Sequence, residues 1–149
     1  MNFRDMVLFS GISRPVLDEL NRIVETVHLE AGDFLFREGD RASYFYILDQ
    51  GRVSLRFSEE GREMFTLGAA GHPIGWSSLV GDEYCKGEAK CVTKARLFRF
   101  EQKQMNSLLT RNPTDGLAFH MRLSKAIASR LLISLLASYR GDPPPLIDA

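Results

Sequence analysis

The chain of 149 residues has a mass of 16.8 kDa, the size of one domain with one hydrophobic core and too small for two ordinary ones. Nineteen Lys and Arg balance nineteen Asp and Glu, for a formal net charge of zero, so bulk charge does not draw the chain to a polyanion. Two cysteines, Cys85 and Cys91, cannot build a disulfide framework, and no apolar run approaches the roughly 20 residues that span a bilayer; a cytoplasmic protein without a membrane segment is expected.

Ser13 is placed to cap a helix over about 13–24, in which Val16, Leu17, Leu20, Ile23 and Val24 recur at helical spacing. From Val27 to Phe100, short runs rich in aromatic and branched residues alternate with glycine. They are Phe34 to Phe36, Tyr44 to Leu48, Val53 to Phe57, Met64 to Leu67, Cys91 to Thr93 and Leu97 to Phe100. Each has the length of a strand. Turns are expected at Gly32, Gly39, Gly51, Gly61 and Gly71, because glycine takes a positive φ without steric penalty. Short antiparallel strands so punctuated predict a mainly β domain: a sandwich, jelly roll or small barrel. No glycine-rich loop leads into a helical pattern, which leaves out a P-loop and a dinucleotide fingerprint.

After Phe100, Met105, Leu108 and Leu109 carry a helix over about 101–111, ended by Asn112-Pro113 because the residue before proline is pushed out of the α region. Thr114 or Asp115 is expected to cap a long helix over about 114–140, and Gly141 with the prolines beyond it stops that helix, leaving 141–149 as a proline-rich tail. Leu117, Met121, Ser124, Ala128, Leu131 and Leu135 follow one another in steps of four and three, flanked by Leu132, Leu136 and Tyr139. Such a wide stripe can pack wholly on its own sheet, or one edge can meet the sheet and the other a symmetry mate. Small Ser124 and Ala128 let two helices approach closely, so a homodimer through this helix is the preferred reading.

The run Leu29-Glu-Ala-Gly-Asp-Phe-Leu-Phe-Arg-Glu-Gly-Asp-Arg-Ala-Ser-Tyr-Phe-Tyr-Ile-Leu-Asp-Gln-Gly51, followed by Val53, resembles the first half of cyclic nucleotide-binding domains of the catabolite activator type. The likeness extends from about Phe9 to Tyr139, and Asn112 to Leu131 is similar to the dimerising helix of that family. It implies an antiparallel β jelly roll (double-stranded β-helix) over about 27–100, with short N-terminal helices and a long C-terminal dimerisation helix, together one cyclic nucleotide-binding-like domain over 1–140. It also implies a regulatory role in signal transduction rather than catalysis.

In that family a Gly-Glu pair opens a short helical turn, and its carboxylate accepts the ribose 2′-hydroxyl. About ten residues later an arginine, followed by small residues, binds the cyclic phosphate. The matching stretch here is Pro73-Ile74-Gly75-Trp76-Ser77-Ser78-Leu79-Val80 and then Tyr84-Cys85-Lys86-Gly87-Glu88-Ala89, with Trp76 at the glutamate position and Lys86 at that of the arginine. A hydrogen bond to a charged group contributes about 1.5–3 kcal/mol, so losing the carboxylate weakens binding by about one to two decades. Lysine still neutralises a phosphate, but as a point charge without the arginine fork. The resemblance thus implies weak binding of cyclic AMP or cyclic GMP, or of another small anion. The implied contacts are Gly75, Trp76, Ser77, Ser78, Lys86 and Gly87, with Arg130 and Ser134 on the long helix. The alternatives are a ligand-free interaction module with Trp76 filling the pocket, and the sensor half of a transcription regulator. Only Gly141 to Ala149 follows the long helix, so no helix-turn-helix and no direct DNA binding are expected of this chain, and an effector protein is the expected receiver of its signal.

Other chemistry has less support in the sequence. A metal-binding cupin brings together two histidines two residues apart, a carboxylate and a third histidine, whereas His28, His72 and His120 stand apart. Two cysteines are too few for an iron–sulfur cluster. A haem on His72 with Cys85 or Cys91 stays open by counting. Ser77 and Ser78 lack the strand-turn-helix setting of a nucleophile, and no enzyme is expected. Lys86, Lys90, Lys94, Arg96, Arg99 and Lys103 read as a solvated strand face.

Overall fold

A computed structural model describes residues 2–57 and 62–148; the turn expected at Gly61 lies outside the described residues. Single 3-10 turns at Phe3–Asp5 and Val7–Phe9 precede α1 (Arg14–Ile23). The strands follow as β1 (Glu25–Leu29), β2 (Phe34–Phe36), β3 (Tyr44–Gln50), β4 (Val53–Phe57), β5 (Arg62–Leu67), β6 (Pro73–Ile74), β7 (Glu88–Cys91) and β8 (Ala95–Glu101). Then come α2 (Gln102–Arg111), α3 (Pro113–Arg140) and β9 (Leu146–Ile147).

One sheet has the strand order β1-β8-β3-β6, the other β2-β7-β4-β5-β9. The first eight strands pair antiparallel, as expected of a jelly roll, and β9 adds parallel to β5. Strand alternation explains how one sheet serves two cores. Tyr46, Leu48 and Leu97 point into the barrel, where they meet Val53, Phe65, Leu67 and Cys91 of the other sheet. Phe45, Ile47, Phe98 and Phe100 point the other way and meet Phe3, Phe9, Leu20, Met105 and Phe119. The helices and N-terminal turns therefore cover the outer face of the first sheet.

The hairpin turn between β3 and β4 needs glycine. Gly51 has φ +100°, and a Cβ there would sit 2.4 Å from the Lys94 carbonyl oxygen. Gly32, Gly39 and Gly71 also have positive φ, in agreement with the expected turns.

Three sequence expectations are corrected. The strand expected at Cys91 to Thr93 lies at Glu88–Cys91, because Ala89 and Cys91 are its inward residues while Glu88 and Lys90 face outward. Neither Thr114 nor Asp115 caps α3: Asn112 is its N-cap and Pro113 opens the helix. Asp115 instead accepts hydrogen bonds from the Ser13 backbone N–H at 3.0 Å and the Ser13 hydroxyl at 2.5 Å. Ser13 occupies the N-cap of α1 but makes no side-chain cap there; its hydroxyl ties the start of α1 to that of α3. Finally, the proline-rich segment adds to the sheet, with the Thr66 N–H bonded to the Pro145 carbonyl and Ile147 buried in the barrel core.

Candidate functional site

Gly75 follows β6 in a left-handed conformation, φ +75°, with the Tyr44 carbonyl only 3.1 Å from where a Cβ would lie. It turns the chain into the single 3-10 turn Trp76–Ser78. The buried Ser78 hydroxyl donates to the Gly75 carbonyl at 2.9 Å and closes that turn. The Ser77 carbonyl accepts the Asp82 N–H at 3.2 Å, which fixes the start of the following loop. Trp76 is half-buried and packs against both the barrel core and the helix-side core.

Above this turn lies Arg130, only 2% exposed. Its guanidinium carbon is 6.0 Å from the centre of the Trp76 ring, and Nη1 donates to the Pro73 carbonyl at 2.6 Å. Nε and Nη2 have no hydrogen-bond partner among the described residues. Burial lowers the pKa of this guanidinium to about 10, since a charge taken out of water without a counter-ion is disfavoured. One turn later the Ser134 hydroxyl donates to the Met64 carbonyl at 3.1 Å. Arg130 and Ser134 thus share the inward face of α3 with Phe119 and Leu123.

The remaining predicted contacts lie elsewhere on the loop. The Lys86 side chain is 79% exposed, with Nζ 3.5 Å from Asp82. Gly87 lets the chain pass close to β4, since a Cβ would come within 2.8 Å of the Arg56 carbonyl. Gly75, Trp76, Ser78 and Arg130 are brought together, Ser134 sits against β5, and no described contact joins Lys86 to Arg130. Ser134 borders a trough of about 840 Å³ between α3 and the β4–β5 side of the barrel, walled by Phe57, Met64, Leu131 and Leu135. Arg130 borders a smaller cavity with Arg122 and His72. Sequence reasoning passed over Arg122, although its spacing of eight from Arg130 marks the same helix face.

The other candidates are structural. Both thiols are free and buried. Burial, then nearby Asp33, pushes Cys91 up to about 11, and burial with Asp40 raises Cys85, so both are protonated and poorly nucleophilic at neutral pH. Among the described residues no group of three or more His, Cys, Asp or Glu is placed to hold a metal ion. No described helix is long and apolar enough to cross a membrane. On α3, Leu117, Met121, Ser124, Ala128, Leu131 and Leu135 are all exposed, with Leu117 and Met121 at 64% and Leu135 at 66%.

The described residues thus form a β-barrel backed by a long helix, with a glycine-opened turn beside a buried cation on that helix. The family model of the cyclic nucleotide-binding domain matches residues 26–112, more than half of the chain, and the chain belongs to that family. A candidate potassium channel protein of Rhodopseudomonas palustris is 22% identical over 107 residues, 72% of this chain. The chain spans only 26% of that protein's length. Among solved structures, a candidate cyclic nucleotide-binding protein of Geobacter metallireducens has a TM-score of 0.77 at 20% identity, covering 86% of this chain and 94% of that one. The N-terminal domain of a transcriptional regulator of Streptomyces coelicolor is 28% identical with a TM-score of 0.64, covering 89% and 93%.

Proposed function

We propose that this domain is a regulatory small-ligand sensor with an altered pocket, so that cyclic AMP and cyclic GMP bind weakly or give way to another small anion. The observation that carries this reading is Arg130: a buried guanidinium with unpartnered donors, on the helix that covers a cyclic nucleotide-binding fold. Gly75, Trp76, Ser77 and Ser78 form the floor of the proposed site and Ser134 its side, with Gly87 and Lys86 on the outer segment. No residue in this set is arranged as a nucleophile with its base, so the role is binding rather than catalysis.

Trp76→Glu supplies the missing carboxylate beside Arg130. Titration calorimetry is expected to show cyclic AMP or cyclic GMP affinity about ten- to a hundredfold higher in that variant than in the parent chain. Neither heat nor a thermal shift in either protein at millimolar nucleotide overturns the nucleotide version.

A second reading rests on Trp76 itself. It packs on both cores while Ser134 holds α3 to β5, as expected of a pocket closed by its own side chains in a ligand-free interaction module. The same titration separates the two.

The exposed stripe from Leu117 to Leu135 lies off the inward face of α3 and supports a two-fold dimer through this helix. Ligand beneath α3 then biases how two such helices pack, provided its affinity differs between the two packings, and an effector protein reads the change. The double variant Leu131→Glu with Leu135→Glu is expected to sediment as a monomer where the parent sediments as a dimer. A parent chain that is monomeric at micromolar concentration overturns the dimer. Two free, buried thiols fit a reducing, cytoplasmic setting.

A further inference from the structure

The outward side of α3 carries a second apolar row beside the stripe from Leu117 to Leu135. Leu132, Leu136 and Tyr139 follow one another in steps of four and three, and the same stepping leads back through Ser129 to Lys125, the spacing of a seam between two helices. Lys125, Ser129, Leu132 and Leu136 each come one residue after a member of the first stripe, namely Ser124, Ala128, Leu131 and Leu135. The second row is therefore turned by about 100° around the helix from the first. A two-stranded contact covers one narrow seam, so a second copy seated on the first stripe leaves the second row uncovered. Leu132 is 58%, Leu136 43% and Tyr139 91% exposed, and the small Ser129 lets another helix come close.

Charge decides what fits this row. Between Gly116 and Gly141, α3 has no Asp or Glu, and exposed Lys125 and Arg140 stand at the two ends of the row. Asp142 lies past the helix end and borders the trough beside Leu131 and Ser134 instead. A second copy does not suit the row. Paired in parallel, it sets Lys125 on Lys125 and Arg140 on Arg140; paired antiparallel, it sets Lys125 on Arg140, and like charges across a seam are unfavourable. A helix whose apolar seam is flanked by carboxylates meets a cation at each end in either direction. An anionic bilayer gains only about 1 kcal/mol from each of two cations, whereas a partner helix also interlocks with the leucines and the tyrosine.

We propose that this row docks an acidic amphipathic helix of an effector protein, laid along α3 with its apolar seam on Leu132, Leu136 and Tyr139 and its carboxylates at Lys125 and Arg140. The proposal rests on the reading that an effector senses α3, and adds the place and the chemistry of that contact.

The probe is a synthetic helical peptide about three heptads long, with leucine at its seam positions and glutamate on either side, labelled and titrated by fluorescence anisotropy into the whole chain. A second peptide carries lysine in place of every glutamate. The acidic peptide is expected to bind about tenfold or more tighter than the basic one. Leu136→Glu is expected to weaken the acidic peptide about tenfold or more, and the double variant Lys125→Glu with Arg140→Glu to reverse the preference between the peptides. Both variants are expected to keep the parent's circular dichroism and sedimentation, and the charge reversal carries the test alone where Leu136→Glu does not fold. Equal affinity for the two peptides, binding of neither, or acidic-peptide binding unchanged in the folded variants overturns the proposal. A Leu136→Glu chain that falls from dimer to monomer overturns it too, because the row then belongs to a second copy. Binding to vesicles of phosphatidylserine and phosphatidylcholine without binding of the acidic peptide assigns the row to a lipid surface and overturns it as well. A preference for the acidic peptide that reverses with the charges supports the proposal even where no nucleotide binds, so its outcome stays separate from that of the sensor reading.

Discussion

Truncation of Phe119 to alanine is expected to destabilise the domain by about 3–5 kcal/mol, the usual effect of removing a fully buried aromatic ring. Phe119 is 1% exposed, and its ring centre lies 5.7 Å from that of Phe9 and 5.8 Å from that of Phe45. One side chain thus joins α3 to the N-terminal turn and to β3. The loss has two parts, the transfer of the ring to water and the cavity left among rings that cannot all move inward. Urea unfolding is the measurement: the midpoint is expected to fall with little change in slope. Phe57→Ala serves as the comparison, because Phe57 is half exposed at the end of β4, and its loss is expected to stay near 0.5 kcal/mol. A Phe119→Ala loss below about 1 kcal/mol would show that α3 is held by other contacts.

The contrast between these two phenylalanines shows what the sequence discloses. Both are phenylalanines inside a run read from the sequence as a regular element, yet only the fold separates a ring shared by three elements from one at a strand end. The glycine turns were legible because a positive φ is a local demand that one residue type meets. α1, α2 and α3 were legible because helical spacing and the Asn112-Pro113 break are local too. β7 was displaced because Glu88 and Lys90 have low strand propensity, and its place is set by pairing with Val53 to Arg56. β9 was missed for a similar reason: two residues after a run of prolines become a strand only because the edge of β5 is there to receive them.

The candidate site divides along the same line. Gly75, Trp76 and Arg130 became candidates through resemblance, and in the structure the Arg130 guanidinium carbon lies 6.0 Å from the centre of the Trp76 ring. Arg122 and the N-terminal turns did not, since their meeting depends on how a segment before α1 folds back over a helix more than a hundred residues later. Lys86 illustrates the reverse. Its sequence position matches a phosphate-binding arginine, while its side chain extends into solvent beside Asp82.

Arg130→Met is expected to stabilise the ligand-free domain by up to about 1.5 kcal/mol and to remove anion binding. Burial lowers the pKa of the guanidinium to about 10 in the folded state, so between that value and the ordinary, higher arginine value the unfolded chain holds more protons than the folded one. Stability therefore rises with pH across that window, and below pH 10 the fold bears the whole penalty of the buried charge. At about 1.4 kcal/mol per pH unit that penalty is roughly 3 kcal/mol, offset by the bond from Nη1 to the Pro73 carbonyl, worth about 1.5–3 kcal/mol when the donor is charged. Methionine fills the same space, keeps contact with Trp76 and removes the charge. The gap between variant and parent in urea unfolding is expected to narrow as pH rises from 9 to 11. A variant less stable than the parent by more than 1 kcal/mol at pH 7 would mean that Arg130 is held by its surroundings and serves the fold. A more stable variant that no longer binds an anion would mean the opposite: a cation that works against folding, placed where a ligand supplies the missing charge.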